Sequence, residues 1–178
     1  MQVKTFYFNP YRECTYLLIN DARQAVIIDA GMSNESEQSR FSQYVAQQQL
    51  QIVGLLITHT HPDHICGLEY IENTYQLSAI IQPAAGLLTL PGFTLEVLST
   101  PGHKEDAVCY YFSAEKMLFT GDTLFQESIG RTDLPGGDMA TLIRSLNQLV
   151  VLPEDTVVYP GHGYTTSIGH EKLYNPYL

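Results

Sequence analysis

Residues 58–67, read T-H-T-H-P-D-H-I-C-G, constrain this chain more than any other stretch, because they place three histidines and an aspartate within six positions. Such a cluster resists burial in an apolar core. Neutral imidazole nitrogens and carboxylate oxygens form the donor set that suits zinc, iron or manganese. Crowding His59, His61, Asp63 and His64 together makes sense when a divalent cation takes their lone pairs. The alternative is a polar loop with chance histidine enrichment, a risk that any short motif carries. The preceding residues sharpen the choice. Residues 52–57 form a continuous hydrophobic run, the pattern of a strand covered on both faces. Open α/β sheets place ligand sites just beyond the carboxyl ends of such strands.

The rest of the chain supplies the frame. Residues 3–8, 15–19 and 25–28 read as strands of an antiparallel meander, broken by Asn9-Pro10 and Asn20-Asp21. A helix is expected from Ser33 or Asn34 to about Gln49, with Phe41, Tyr44, Val45 and Gln48 as its stripe. Pro62 fixes the turn inside the cluster, and residues 63–75 keep a helical pattern. Residues 79–82, 94–99, 108–112, 117–120 and 156–159 read as further strands. Asp138 caps a helix to about Val150, with Met139, Leu142, Ile143, Leu146 and Leu149 on its inner face. Strands near both ends with helices between them predict two sheets flanked by helices, a layered α/β (α+β) architecture in one domain spanning residues 1–178.

Composition bounds the function. A chain of 178 residues is long enough to bury ~70% of its unfolded surface without help from a metal or a disulfide. Its longest apolar runs, residues 25–28 and 53–57, are far too short to cross a bilayer, and the start, M-Q-V-K-T-F-Y-F, has no basic segment leading into an apolar one. Cys14, Cys66 and Cys109 form no C-x-x-C pair, which points to a reducing compartment and a cytoplasmic protein. Each cysteine is expected to be a small buried residue, although Cys66, two positions after His64, also carries a ligand reading. The net charge of −10, from nine basic and nineteen acidic residues, disfavours nucleic acid as a partner. A small anionic substrate needs only one or two local cations and is compatible with it.

Three further candidate ligands stand at strand ends, each after a glycine: His103 after Gly102, Asp122 after Gly121, and His162 after Gly161. Glycine lets the backbone turn tightly and present the next side chain. Five of the six histidines fall in these motifs, leaving only His170 outside. A hydrogen-bonded loop histidine is the ordinary reading for any one of them; the strand-end context repeated four times favours a shared metal site.

The succession H-x-H-x-D-H, a lone His, G-D and a final G-H resembles the metallo-β-lactamase fold superfamily over nearly the whole chain. The resemblance implies a four-layer αββα sandwich. It implies two divalent metal ions, zinc by expectation with iron or manganese as alternatives: His59, His61 and His103 resemble the ligands of one, Asp63, His64 and His162 those of the other, and Asp122 the bridge between them. Paired dications share a bridging hydroxide that attacks a carbonyl, with Asp63 and Asp122 as the catalytic carboxylates that orient it and take its proton. Asp29, at the early D-x-G position, reads as a carboxylate supporting the ligands or as a plain strand-end turn.

Finer motifs narrow the resemblance. T-G-D-T-L-F (residues 120–125), S-I-G-R-T-D-L-P-G-G-D (128–138) and P-G-H-G followed by T-S-I-G-H-E-K-L-Y-N-P-Y-L resemble the short bacterial glyoxalase II-like proteins. They imply hydrolysis of a thioester of the S-lactoylglutathione type or of a related small acyl compound. Arg131 falls where the larger glyoxalase II enzymes hold a glutathione carboxylate; a surface salt bridge or loop anchor is its other reading. Lys104 reads as a substrate contact or a solvated lysine, and Tyr164 as a pocket wall or a buried structural tyrosine. The larger enzymes also carry a C-terminal helical domain that this sequence does not show, which leaves glutathione itself open as the substrate. Other readings stay open within the resemblance: a lactonase or β-lactamase, or a persulfide dioxygenase, which shares G-R-T-D (residues 130–133) and uses one iron held by the equivalents of His59, His103 and Asp122. A metal-binding protein without catalysis is a further one.

Overall fold

Alternation near the amino terminus becomes a meander: β1 (Gln2–Phe8), β2 (Glu13–Ile19) and β3 (Gln24–Ile28) pair antiparallel in that order. The computed structural model describes residues 1–178 and resolves them into two units, Met1–Ile81 with Thr89–Thr94, and Gln82–Leu88 with Leu95–Leu178. In the first, Asn34 caps α1 (Glu35–Gln47) by accepting from the Glu37 amide. The chain returns as β4 (Gln51–Ile57), parallel to β3. Then come α2 (Pro62–Ile65), α3 (Leu68–Tyr75) and a short β5 (Ile80–Ile81) parallel to β4, giving the order β1-β2-β3-β4-β5. Phe6, Phe8, Leu17, Ile27 and Leu55 from the sheet pack with Phe41 and Val45 of α1 and Ile71 of α3. The Phe6 and Phe41 rings lie 5.2 Å apart. Each such fully buried large side chain contributes about 1.5–3 kcal/mol.

The helical pattern of residues 63–75 is broken into two helices, for a local reason. The His64 carbonyl accepts from the Ala30 amide at 2.8 Å and the Gly67 amide donates to the Ala30 carbonyl at 2.7 Å. These bonds tie the chain to the segment after β3 and take both groups out of the helical ladder.

The remaining strands are β6 (Gly86–Leu90), β7 (Phe93–Ser99), β8 (Val108–Phe112), β9 (Met117–Gly121), β10 (Leu124–Phe125), β11 (Ser128–Ile129), β12 (Val157–Pro160) and β13 (Thr166–Ser167). Six of them form a sheet in the order β13-β12-β9-β8-β7-β6, and β10 and β11 make a separate hairpin. In the second unit α4 (Met139–Leu149), capped by Asp138, lies between β9 and β12, which pair parallel. Leu142, Leu146 and Leu149 pack with Tyr111, Leu118 and Val158. Met139, expected on that face, is instead exposed at the first position of the helix and lies outside the core cluster. Three short elements carry no clear pattern in the sequence: β6, the β10–β11 hairpin and α5 (Ile168–Tyr174), a seven-residue helix capped by Ser167. Each unit thus contributes a sheet and its helices, as the α/β expectation requires. No helix is long and apolar enough to cross a membrane.

Candidate metal centre

In the first unit the cluster opens at the carboxyl end of β4, where buried β4 delivers Thr58 and His59 into the interior. Asp29, 2% exposed at the end of β3, organises them. One oxygen accepts from the Thr58 amide at 2.7 Å; the other accepts from the Thr58 hydroxyl at 2.7 Å and faces His64 Nδ1 at 2.8 Å. A carboxylate oxygen only accepts, so His64 carries its proton on Nδ1. The Thr58 hydroxyl spends its single proton on Asp29, so His59 Nδ1, 3.1 Å away, must donate to it. Both rings therefore keep the Nε2 lone pair for a cation, the arrangement in which outer carboxylates and hydroxyls fix a ligand's tautomer. The His59 ring centroid lies 4.2 Å from that of His64 and 4.8 Å from that of His61, and His64 Nε2 lies 3.8 Å from Asp63 Oδ2. Asp29 holds a left-handed φ of +61°, a conformation that three hydrogen bonds stabilise against its steric cost.

Two residues outside the sequence motifs complete this half. Asn9 Nδ2 donates to the Gly31 carbonyl at 3.0 Å and to the Asp63 carbonyl at 2.9 Å, while its amide donates to Glu37 Oε1. It staples the β1–β2 turn to the backbone that bears Asp63. Glu13 is fully buried with an oxygen 4.0 Å from His64 Nδ1, and its ligand-type atom, one from Asp29 and one from His64 lie within 4.8 Å of one another. Burial, helped by the Asp29 charge and opposed by His64, holds its carboxyl well above the ordinary carboxylate range. Oε2 accepts from the Thr15 hydroxyl and Oε1 has no hydrogen-bond partner; the neutral acid is the form such a place favours. In sequence, Asn9 reads as a strand breaker and Glu13 as one of nineteen acids. An acidic residue inside the buried run of β2 is the one signal that could have singled Glu13 out.

The second unit holds the other three candidates. His103 is buried after β7, Asp122 follows β9, and His162 follows β12. One oxygen of Asp122 lies 3.5 Å from His103 Nε2 and 3.6 Å from His162 Nε2, so a single carboxylate faces two imidazoles, as a bridging ligand must. His103 Nδ1 donates to the Arg131 carbonyl at 2.8 Å; a carbonyl only accepts, so Nε2 is again the lone-pair nitrogen. Gly102 at φ +135° makes the turn into His103, and a Cβ on Gly130 would lie 1.8 Å from the Asp122 carbonyl oxygen, so that segment must pass close. The donor set, with the tautomers of His59, His64 and His103 set by their neighbours, fits divalent metals that accept imidazole and carboxylate.

The remaining candidates lie outside the histidine–aspartate groups. Arg131 is exposed, and its guanidinium forks onto Asp133, with both contacts at 2.7 Å; the pair lowers the Asp133 carboxyl to about 2. Lys104 pairs with Asp106 at 3.6 Å. Tyr164 is exposed, not a buried structural residue, because it lies on the loop beyond His162. Cys14 and Cys109 are buried, whereas Cys66 is exposed and directs its thiol at the Gly31 carbonyl at 3.0 Å, which leaves it outside the ligand groups.

Residues 10–87 and 75–162 match the model of the Metallo-beta-lactamase superfamily. The chain belongs to that superfamily. It is 33% identical, over 93% of its length and 85% of the relative's, to the "Probable metallo-hydrolase" of Streptococcus pyogenes. It is 30% identical, over 100% and 98%, to the hydroxyacylglutathione hydrolase GloC of Haemophilus influenzae. Among solved structures it is similar to the BLEG-1 B3 metallo-beta-lactamase (TM-score 0.92, 32% identity, 99% of each chain). ETHE1 from Myxococcus xanthus has a TM-score of 0.88 with 32% identity over 99% of this chain and 84% of that one. TTHA1623, solved in a di-iron-bound form, has a TM-score of 0.88 with 28% identity over 98% and 100%. The fold is that of the superfamily, and the chain is a metallo-hydrolase of this family with divalent metal sites implied by the fold.

Proposed function

We propose that this superfamily member is a dinuclear hydrolase that cleaves a thioester of the S-lactoylglutathione type, or a related small acyl compound, to a carboxylic acid and a free thiol. The observation that carries the reading is the outer hydrogen bonding: Asp29 on His64, Thr58 on His59 and the Arg131 carbonyl on His103 each leave Nε2 as the ligating nitrogen. In this reading His59, His61 and His103 hold one ion, Asp63, His64 and His162 the other, and Asp122 both, all within one domain. When bound, such a pair acidifies a water to near neutrality and polarises the scissile carbonyl.

The chain's own groups do the rest. Asp63 and Asp122 orient the attacking oxygen, and Asp63 takes its proton and passes it to the departing thiolate. Arg131, 60% exposed at its side chain, exchanges Asp133 for a carboxylate of the substrate through its bidentate fork. The name of the Haemophilus relative supports the thioester, zinc is the metal of choice, and the di-iron-bound neighbour supports iron as the alternative. The substrate is a small molecule; nucleic acid and membrane have no part in the reading, and the protein works in the cytoplasm.

Metal analysis after anaerobic purification, with S-lactoylglutathione as the probe, tests it. Two ions per chain and thiol release are expected. The G-R-T-D of residues 130–133, which resembles that of the persulfide dioxygenases, gives the second reading, a mononuclear-iron persulfide dioxygenase. One iron per chain with oxygen uptake on a persulfide, and no thiol release from the thioester, would replace the first reading with the second.

A further inference from the structure

Helix α5 buries a carboxylate that the proposed chemistry does not use. Glu171 is fully buried, and its oxygens accept three hydrogen bonds. Thr166 Oγ1 donates to Oε1 at 2.6 Å; the Glu127 amide and Asn175 Nδ2 donate to Oε2, each at 2.8 Å. Asn175, also buried, donates from the same amide nitrogen to the Ser128 carbonyl at 3.0 Å. Glu127 lies in the turn of the β10–β11 hairpin, at φ +54°, and Ser128 follows it as the first residue of β11. That left-handed conformation is costly for a side-chain-bearing residue and persists where neighbours hold it. Burying a carboxylate costs free energy unless hydrogen bonds compensate. The donors on Glu171 thus explain both the buried charge and the strained turn.

The held turn runs directly into the ligands of the second unit. Ile129 pairs with Leu124, Gly130 passes against the Asp122 carbonyl with His103 Nδ1 next to it, and the Arg131 carbonyl takes the His103 proton. We propose that Glu171, together with Asn175, is a positioning residue: the end of the chain fixes the path of residues 127–131 and, through it, the orientation of His103 and the seat of Asp122. This rests on reading His103 and Asp122 as metal ligands.

Glu171→Gln and Asn175→Ala test it, with cobalt(II) titrated against a competing chelator and amide hydrogen exchange read in parallel. Glutamine keeps one carbonyl oxygen but removes the negative charge, so the bonds from the Glu127 amide and Asn175 lose their charge-assisted strength; alanine severs the link to Ser128. In both variants exchange at Glu127 and Arg131 should speed at least about tenfold, while the amides of β4 hold. Cobalt affinity should fall about 10–100-fold, the range for a lost partner behind a ligand. Lys172→Ala, on the same helix and paired with Glu154, should change neither. A folded Glu171→Gln with fast exchange at Glu127 but cobalt affinity within twofold of the parent overturns the proposal, since a merely structural role lowers Tm and leaves the affinity alone. Should Glu171→Gln fail to fold, Asn175→Ala and Thr166→Val carry the same expectation and the same refutation. A parent protein that binds no cobalt overturns it as well, by removing the ligand reading. Cobalt bound without thioester hydrolysis counts against the substrate reading alone.

Discussion

Replacing Asp29 by asparagine separates the support of the ligands from the stability of the fold. Asparagine keeps one carbonyl oxygen for the Thr58 amide. Its Nδ2 replaces the oxygen that now faces the Thr58 hydroxyl and His64 Nδ1 at 2.7 and 2.8 Å. The hydroxyl can rotate to accept. His64 Nδ1 meets a donor and must give up its proton, which moves to Nε2 and occupies the lone pair that would bind metal. Three hydrogen bonds lose their ionic character, at about 1 kcal/mol each, so about 2–3 kcal/mol of stability is lost. A domain stabilised by about 5–15 kcal/mol stays folded, with Tm lower by about 4–12 °C. Metal affinity should drop about 10–100-fold, or about 1.4–2.7 kcal/mol, and chiefly for the ion assigned to Asp63, His64 and His162. Chelator competition measures the affinity, and long-range nitrogen–proton NMR of the imidazoles reports which nitrogen carries the proton. Parent affinity for both ions, with the His64 proton still on Nδ1, would refute the reasoning.

Other outcomes follow from the same geometry. Asp122→Ala should remove both metals and nearly all turnover, measured by elemental analysis and thiol release, while His170→Ala, whose ring pairs with exposed Glu127 at 2.9 Å, should do little; retained activity in the first variant would falsify the bridging role. Arg131→Ala should raise KM about tenfold or more for a thioester bearing a carboxylate and leave kcat nearly unchanged, whereas Asp133→Ala, which frees the guanidinium fork, should lower KM; equal KM values across the three proteins would remove Arg131 from the substrate site. Burial pushes the Cys109 thiol from an ordinary 9.0 up to about 11. The unfolded chain therefore loses this proton first as pH rises, so stability that is complete below pH 9 should decline by about 2–3 kcal/mol between pH 9 and 11; urea titrations comparing the parent with Cys109→Ala should show the variant lacking this part of the decline.

The candidate ligands could be read from sequence because each sits next to the end of an apolar run and carries its chemistry in its own side chain. Asp29 was legible for the same reason, as the D of a strand-end D-x-G. Glu13, Asn9 and Glu171 were not, since their roles exist only once distant residues meet them: Asp29 and His64 for Glu13, Gly31 and Asp63 for Asn9, and Glu127 for Glu171. The break between α2 and α3 was hidden likewise. Nothing in I-C-G announces that the Ala30 backbone will claim both the His64 carbonyl and the Gly67 amide. Cys66 was misjudged on composition, because a free cysteine is usually buried, and here the same break in the helix turns it outward.

That outward turn equips the protein for spectroscopy without redesign. Of three thiols only Cys66 is exposed, so a maleimide-linked spin label or fluorophore would attach at one place, three positions after Asp63. Burial raises the Cys66 thiol above its ordinary value, so coupling should be slow at neutral pH and quicken in mildly alkaline buffer. A paramagnetic ion arriving at the neighbouring histidines would then broaden or quench the label's signal, giving each loading event an optical or magnetic readout that needs no substrate.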